Sequence, residues 1–407
     1  MALASGGCAS TVSAQVSSDA ALVASDTTGR VPASTIRTAL AETADAIDRV
    51  LLDENGRAKG DYYWQNGEWS PYEVAWHTGQ AIEGLLAAHA VTGEQRYLDR
   101  AIEAGDFWVG LEITEGPLTG MVNAVHGDRV GNLINFTTVG NGTPGLFRLS
   151  EVTGDPKYAD VASRAIIWLA RNMQVPDHPG LYYNIVDPET GEIWTDKSPH
   201  HDTDTPTVTQ VARPNIEGSP FLDACRHTGQ QWLCDRHFDL TERTAARIAD
   251  NGMWMEFEPN NPETGQIHPR FNSWNAEALL RSYAERQEPR WLAAVLANAR
   301  GNTELMRSDG SYNYDLGGRD TPTGSATAFA GMLWLGLREL GYDEFDDEIH
   351  AAARWLVDNR FPVDHADPNL RGLVIERRLK RGEVIQRDLG NFFAARFFEK
   401  YLEQFGE

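Results

Sequence analysis

The run His268-Pro269-Arg270-Phe271-Asn272-Ser273-Trp274-Asn275 gathers an imidazole, a guanidinium and two amides around one proline. Proline is favoured at the first position of a helix, so this run marks a helix start. Its positive dipole end, with His268, Arg270 and Asn272 beside it, suits a carboxylate ligand. Arg213-Pro214-Asn215-Ile216-Glu217 has a similar form, in which Arg213 and Asn215 bind substrate and Glu217 either joins them or holds Arg213. Tyr312 and Tyr314 lie close in sequence to Arg307. A neighbouring guanidinium favours the phenolate, so either tyrosine could take a proton and later return it. Trp69, Tyr72 and Trp76, with His77 next in the chain, supply flat apolar rings with polar tips, on which a sugar ring can stack. Asn135 adds an amide at another helix start.

These residue types match the needs of β-elimination from a uronate. The carboxylate must be neutralised so that the C5 proton becomes acidic, a base must take that proton, and an acid must protonate the departing O4. Arg270, Arg307 and Arg213 with the amides are the neutralising set; Tyr312, Tyr314 and His268 are the candidate base and acid. Hydrolysis instead needs two carboxyl groups flanking the glycosidic bond, and Glu73, Glu217, Asp320 and Asp388 are available for it. His200-His201-Asp202-Thr203-Asp204 lacks a well-placed third ligand and reads as a solvated loop, so no metal is expected. With no phosphate-binding glycine loop or nucleotide fingerprint, no cofactor is expected either.

The elements that would position these groups repeat along the chain. His89 to Tyr97 (HAVTGEQRY) is echoed by Ser150 to Tyr158 (SEVTGDPKY) and by Arg226 to Trp232 (RHTGQQW). Each reads as a helix closed by glycine and followed by an aromatic that begins a second helix, predicted over 97–111, 158–172 and 232–249. Degenerate copies follow near Trp291 and Phe345; 36–52 supplies a leading outer helix and 387–405 a closing inner one. The count reaches six hairpins. The fold class expected is all-α, an (α/α)6 toroid over residues 34–407, with an open solenoid as the alternative and 1–33 as a flexible tether. Runs such as Ala81 to Ala88 and Ala326 to Leu333 are small and apolar, as inner helices buried on both sides require.

Composition narrows the partners. A net charge of -23 over 407 residues argues against nucleic acid and anionic membranes, while an acidic polysaccharide or oligosaccharide remains open if cations gather in one cleft. Cys8, Cys225 and Cys234 predict no disulfide framework. Leu3 to Cys8 (LASGGC) resembles the junction at which bacterial lipoproteins are cut and lipidated, which implies a lipid anchor at Cys8 and an exported protein, periplasmic or on the outer surface.

The hairpins ending in Thr-Gly-x-x-x-Tyr and the late segment Thr321 to Ala328 (TPTGSATA) resemble the six-hairpin glycosidase superfamily, which includes unsaturated glucuronyl hydrolases and sugar 2-epimerases. They also resemble toroidal alginate and glucuronan lyases of the polysaccharide lyase family 38 type. The resemblance spans nearly the whole chain from about residue 35 and implies the toroid and a carbohydrate ligand. Where glucuronyl hydrolases carry a His-Asp-x-Gly-Phe-like motif, this chain has Asn135-Phe136-Thr137-Thr138-Val139-Gly140. That departure removes one expected acid and favours a lyase acting on alginate or glucuronan over a glucuronyl-type hydrolase. A non-catalytic glycan-binding lipoprotein and a sugar epimerase stay open as further alternatives.

Overall fold

Among the described residues, thirteen α-helices and a few short strands follow from two kinds of hydrophobic pattern. The computed structural model describes residues 29–406 apart from 128–129, 215–217, 258, 317–320 and 381. Outer helices α1 (Ala33–Ala46), α3 (Gln95–Val109), α5 (Lys157–Asn172), α8 (Gln231–Ala245), α10 (Pro289–Leu305) and α12 (Asp346–Asp358) bury one face each. In α3, for example, Tyr97, Ala101, Ala104 and Trp108 return every three or four residues. The inner helices are α2 (Val74–Thr92), α4 (Phe136–Thr153), α7 (Pro220–Thr228), α9 (Pro269–Arg286), α11 (Gly324–Glu339) and α13 (Leu389–Phe405), of which α2, α4, α11 and α13 are enclosed more fully. Every residue of α2 from Ala75 to Ala88 is buried. The single turn α6 (Val208–Val211) lies in the loop ahead of α7.

Small residues set how closely inner helices approach. A Cβ on Gly79 would stand 2.0 Å from the Gly142 carbonyl oxygen, and one on Gly145 would stand 2.1 Å from that of Gly79. Only glycine lets α2 and α4 touch backbone to backbone. The repeat has a structural counterpart on the outer layer. Tyr97 Oη donates to Asp45 at 2.9 Å, and one hairpin later Tyr158 Oη donates to Asp106 at the same 2.9 Å. Each such tyrosine ties one outer helix to the preceding one.

The ring closes. α13 packs on α11, α2 and α1, and the strand Glu383–Arg387 pairs antiparallel with Asp61–Tyr63, bringing Arg387 opposite Asp61. This junction rules out the open solenoid. The four-stranded sheet there runs in the order Arg377–Lys380, Glu383–Arg387, Asp61–Tyr63, Glu68–Ser70.

Four local expectations change. The closing inner helix begins at Leu389 because Arg387 is a strand residue held by Asp61. The first outer helix ends at Ala46 and widens into a π-helical segment, Ile47–Leu51. α8 stops at Ala245, four residues before the expected end. Cys225 and Cys234 form a disulfide, contrary to the cysteine count's prediction. The tight turn at Gly229 folds α8 back on α7 and brings the two Cα atoms to 5.4 Å. Cys8 and the rest of residues 1–28 lie outside the described residues.

Candidate active site

The N-terminal ends of the inner helices and the loops before them surround a cavity of about 570 Å³. Three of these helices contribute residues from their N-terminal approach and first two turns. α2 brings Tyr72, Glu73 and Trp76; α4 brings Asn135, Thr137 and Asn141; α9 brings Arg270, Phe271 and Trp274. Arg213 enters from the strand after α6, Tyr314 from the segment before α11, and Arg378 and Arg387 from the ring-closing hairpin.

Trp76 and Trp274 meet edge to face, their ring centroids 5.4 Å apart. The Arg270 guanidinium lies 5.5 and 5.0 Å from those two rings and donates to Ser325 Oγ at 2.9 Å. Ser325 in turn donates from its backbone to Glu376 Oε2 at 2.7 Å and from its hydroxyl to the same carboxyl. Burial raises the Glu376 carboxyl pKa, although Arg270 and the Ser325 donors pull against it. Arg270 is therefore fixed by packing and by this network at the helix start.

On the other side Arg387 makes a two-pronged pair with Asp61, at 2.6 and 2.8 Å. Burial disfavours the Asp61 carboxylate, but the Arg387 charge and hydrogen bonds outweigh it and hold its pKa at about 2. The Arg387 guanidinium also lies 3.9 Å from the centre of the Tyr72 ring. Arg378 stands next to this pair, 3.5 Å from Asp61, and 4.8 Å from the centre of the Tyr314 ring. A cation thus faces the one tyrosine of the 312–314 segment that lines the cavity.

Glu73 stands just before α2 in the left-handed region, with φ 43. Its Oε1 accepts from Thr138 Oγ1 at 2.9 Å and lies 3.2 Å from His126 Nε2. His126 Nδ1 lies 3.0 Å from the Gly127 carbonyl oxygen. Asn135 caps α4 through its side-chain oxygen, which accepts from Thr137 N at 2.8 Å.

Of the predicted residues, Arg213, Tyr72, Trp76, Arg270, Asn135 and Tyr314 line the cavity. Others do not. Tyr312 is fully buried and donates to the Asn302 carbonyl at 2.5 Å. The strand Tyr312–Asn313 ends before Tyr314, so a bend in the chain lets the two tyrosines, which a continuous strand would put on one face, part company. Arg307 bonds Asn313 at 3.0 Å, two residues past the turn it helps to close, and is not part of the wall. Trp69 sits on the ring-closing sheet, bonded to Asn369 at 2.8 Å. His77 is buried one helical turn in, with Nδ1 2.6 Å from Asp388. Asn272 serves the backbone, accepting from Trp254 N at 2.6 Å and donating to the His268 carbonyl at 3.2 Å. His268 lies one layer behind the wall, against Tyr314 and Phe271. Burial first, then Arg270, Arg378 and Arg387, push its pKa well down and keep it neutral. Burial likewise raises the phenol pKa of Tyr72 and Tyr312, the reverse of the shift expected beside an arginine. Asn215, Glu217 and Asp320 lie outside the described residues. Among the described residues no group of three or more His, Cys, Asp or Glu side chains could hold a metal ion.

Sequence reading missed His126, His200, Asn260 and Arg378 as wall residues. Arg378 had a signal: Arg377, Arg378, Lys380 and Arg381 form the densest basic run of an acidic chain. His126 had none, because it stands in a strand ahead of α4 and reaches Glu73 only through the fold.

The comparisons with known proteins fit this architecture. The model of glycosyl hydrolase family 47 matches residues 70–219, less than half of the chain. No curated protein matches it. Among solved structures it resembles an unsaturated glucuronyl hydrolase from Streptococcus agalactiae, with TM-score 0.66 and 12% identity over 91% of this chain and 93% of that one. It also resembles the cellobiose 2-epimerase from Bacillus thermoamylovorans B4167, with TM-score 0.64 and 13% identity over 91% of this chain and 100% of that one. The fold is an (α/α)6 toroid. A third likeness, to the unsaturated glucuronyl hydrolase of Bacillus sp. GL1, has TM-score 0.62 and 14% identity over 91% of this chain and 96% of that one. At such identities the toroid is shared and the chemistry must be argued from its mouth.

Proposed function

We propose that this toroid is a carbohydrate-processing enzyme that cleaves a uronate-containing polysaccharide of the alginate or glucuronan type by β-elimination. The observation that carries the reading is the inventory of the wall: Arg213, Arg270, Arg378 and Arg387 line the cavity, against Glu73 as the one carboxylate among the described lining residues. Such a cavity favours an anionic ligand, and among the described lining residues no second carboxyl group faces Glu73 as hydrolysis would use. Trp76, Trp274 and Phe271 offer rings for sugar stacking. Arg378 and Arg213 hold the uronate carboxylate, and the charge that develops on it as C5 loses its proton is met by fixed guanidiniums. Tyr314, facing Arg378, takes that proton. The C5–H electron pair becomes the C4–C5 double bond, and the C4–O4 bond breaks toward O4.

The test is digestion of alginate, glucuronan and other polyuronates with absorbance followed in the near ultraviolet. The conjugated double bond makes absorbance rise in step with new chain ends. New reducing ends without that rise would sink the elimination reading.

A second reading is hydrolysis of the unsaturated glucuronyl type. It is favoured by the glucuronyl hydrolases among the structural neighbours and by Glu73, a carboxyl already inside the cavity. Epimerases share the fold as well, and a changed sugar configuration at constant chain length would identify that outcome. A non-catalytic glycan-binding role would leave both length and configuration unchanged. We also propose export to an oxidising compartment with lipid attachment at Cys8; the Cys225–Cys234 bridge supports the compartment. Metabolic labelling with a fatty acid, lost on Cys8→Ser, tests the anchor.

A further inference from the structure

We infer that Glu73, backed by His126, is the general acid that protonates the departing glycosidic oxygen. The inference rests on the reading of the cavity as a glycan-cleaving site and adds a second proton-handling group to Tyr314.

Three features of Glu73 point the same way. First, a non-glycine residue at φ 43 costs the fold free energy, and such strain persists where surrounding structure over-determines it. Here the backbone is held on both sides, since Glu73 N donates to His126 O at 2.9 Å and Glu73 O accepts from His77 N at 3.0 Å. Helix capping does not explain the residue, because its side chain makes no cap hydrogen bond. Second, its Oε1 is fully engaged by Thr138 and His126, while Oε2 has no partner among the described residues. A carboxyl anchored by one oxygen presents the other to a ligand in the cavity that it lines. Third, His126 is oriented. Its Nδ1, donating to the Gly127 carbonyl, leaves Nε2 facing Glu73 Oε1, so a proton can pass between ring and carboxyl.

In the reaction the pair gives that proton to the oxygen leaving C4, as the C5 proton moves to the base on the tyrosine side. One proton is gained by the base and one is lost by the acid. Exchange with water restores both. Glu73 is the catalytic residue of the pair and His126 a positioning residue, which holds Oε1 and resupplies the proton.

The test separates C5 proton removal from bond cleavage. Full-length wild type, Glu73→Gln and His126→Gln are incubated with a polyuronate in D2O. Cleavage is followed by absorbance, and deuterium at C5 of the uncleaved polymer is read by NMR. Glu73→Gln is expected to lower cleavage roughly 100-fold or more while exchange at C5 continues. His126→Gln is expected to lower cleavage less and in the same pattern. Cleavage at the wild-type rate in Glu73→Gln, or exchange and cleavage falling by the same factor, overturns the assignment. Should Glu73→Gln fail to fold, Thr138→Val replaces it under the same two criteria. If the wild type makes reducing ends without an absorbing product, elimination has failed but the acid has not. Glycosides with a low-pKa phenol leaving group then decide: Glu73→Gln should keep activity on these and lose it on sugar leaving groups, and equal losses overturn the acid.

Discussion

At their C-terminal ends the first three inner helices are built alike, and at their N-terminal ends no two are. Gly93, Gly154 and Gly229 close α2, α4 and α7 in the left-handed conformation, each with its N–H returned to a carbonyl four residues back. The residues standing before the opposite ends are Glu73, Asn135 and Ser219, and later ones His268, Thr323 and Asp388. The difference shows how a toroid divides its work. Regular turns on one side hold the hairpins in register, and irregular loops on the other carry individual side chains into one cavity. The clearest local case is the pair Tyr312 and Tyr314, two residues apart and chemically identical, one locked in the core and the other beneath a guanidinium.

The largest expected effect falls on the irregular side. Tyr314→Phe keeps the ring and removes the hydroxyl, so the rate of unsaturated product formation should drop roughly 100- to 10,000-fold with the thermal midpoint unchanged. A full rate in this variant would move the base elsewhere in the cavity.

Next comes the regular interior. Gly79→Ala places a methyl group against the Gly142 carbonyl, where no room exists, and should cost about 3 kcal/mol of stability in urea denaturation. If the cost is small, α2 and α4 can separate more easily than their close packing implies.

The ring closure predicts a pH effect of intermediate size. The folded-state pKa of Asp61 is depressed to about 2 from 3.8, so its contribution to stability is fully present above the unfolded value. It is lost as pH falls from about 4 through about 2, and amounts to about 2 kcal/mol. The stability difference between wild type and Asp61→Asn should therefore shrink over that window. A constant difference would mean that the carboxyl is not ionised against Arg387.

The smallest effect belongs to the other tyrosine. Tyr312→Phe strands the Asn302 carbonyl and should cost about 1 kcal/mol of stability while leaving turnover intact. Loss of turnover without loss of stability would reverse the assignment of the two tyrosines.

The sequence alone determined the hairpins, because a helix buried on one face or on all faces leaves its period in the order of apolar residues. It also determined the Gly-closed turns at 93, 154 and 229, since left-handed backbone selects glycine. It placed Arg213, Arg270, Tyr72, Trp76, Asn135 and Tyr314 at helix starts or loops, and these do meet in one cavity. What only the tertiary structure decided was ring closure, through Arg387 facing Asp61 across paired strands 326 residues apart in the chain. It also decided the neutral burial of His268, the retreat of Tyr312, Arg307, Trp69, His77 and Asn272 from the cavity, and the union of Glu73 with His126. The physical reason is that secondary structure is written in nearby residues. Burial, the pairing of charges and the side of a segment that faces the cavity depend on neighbours that are distant in sequence until the chain has folded.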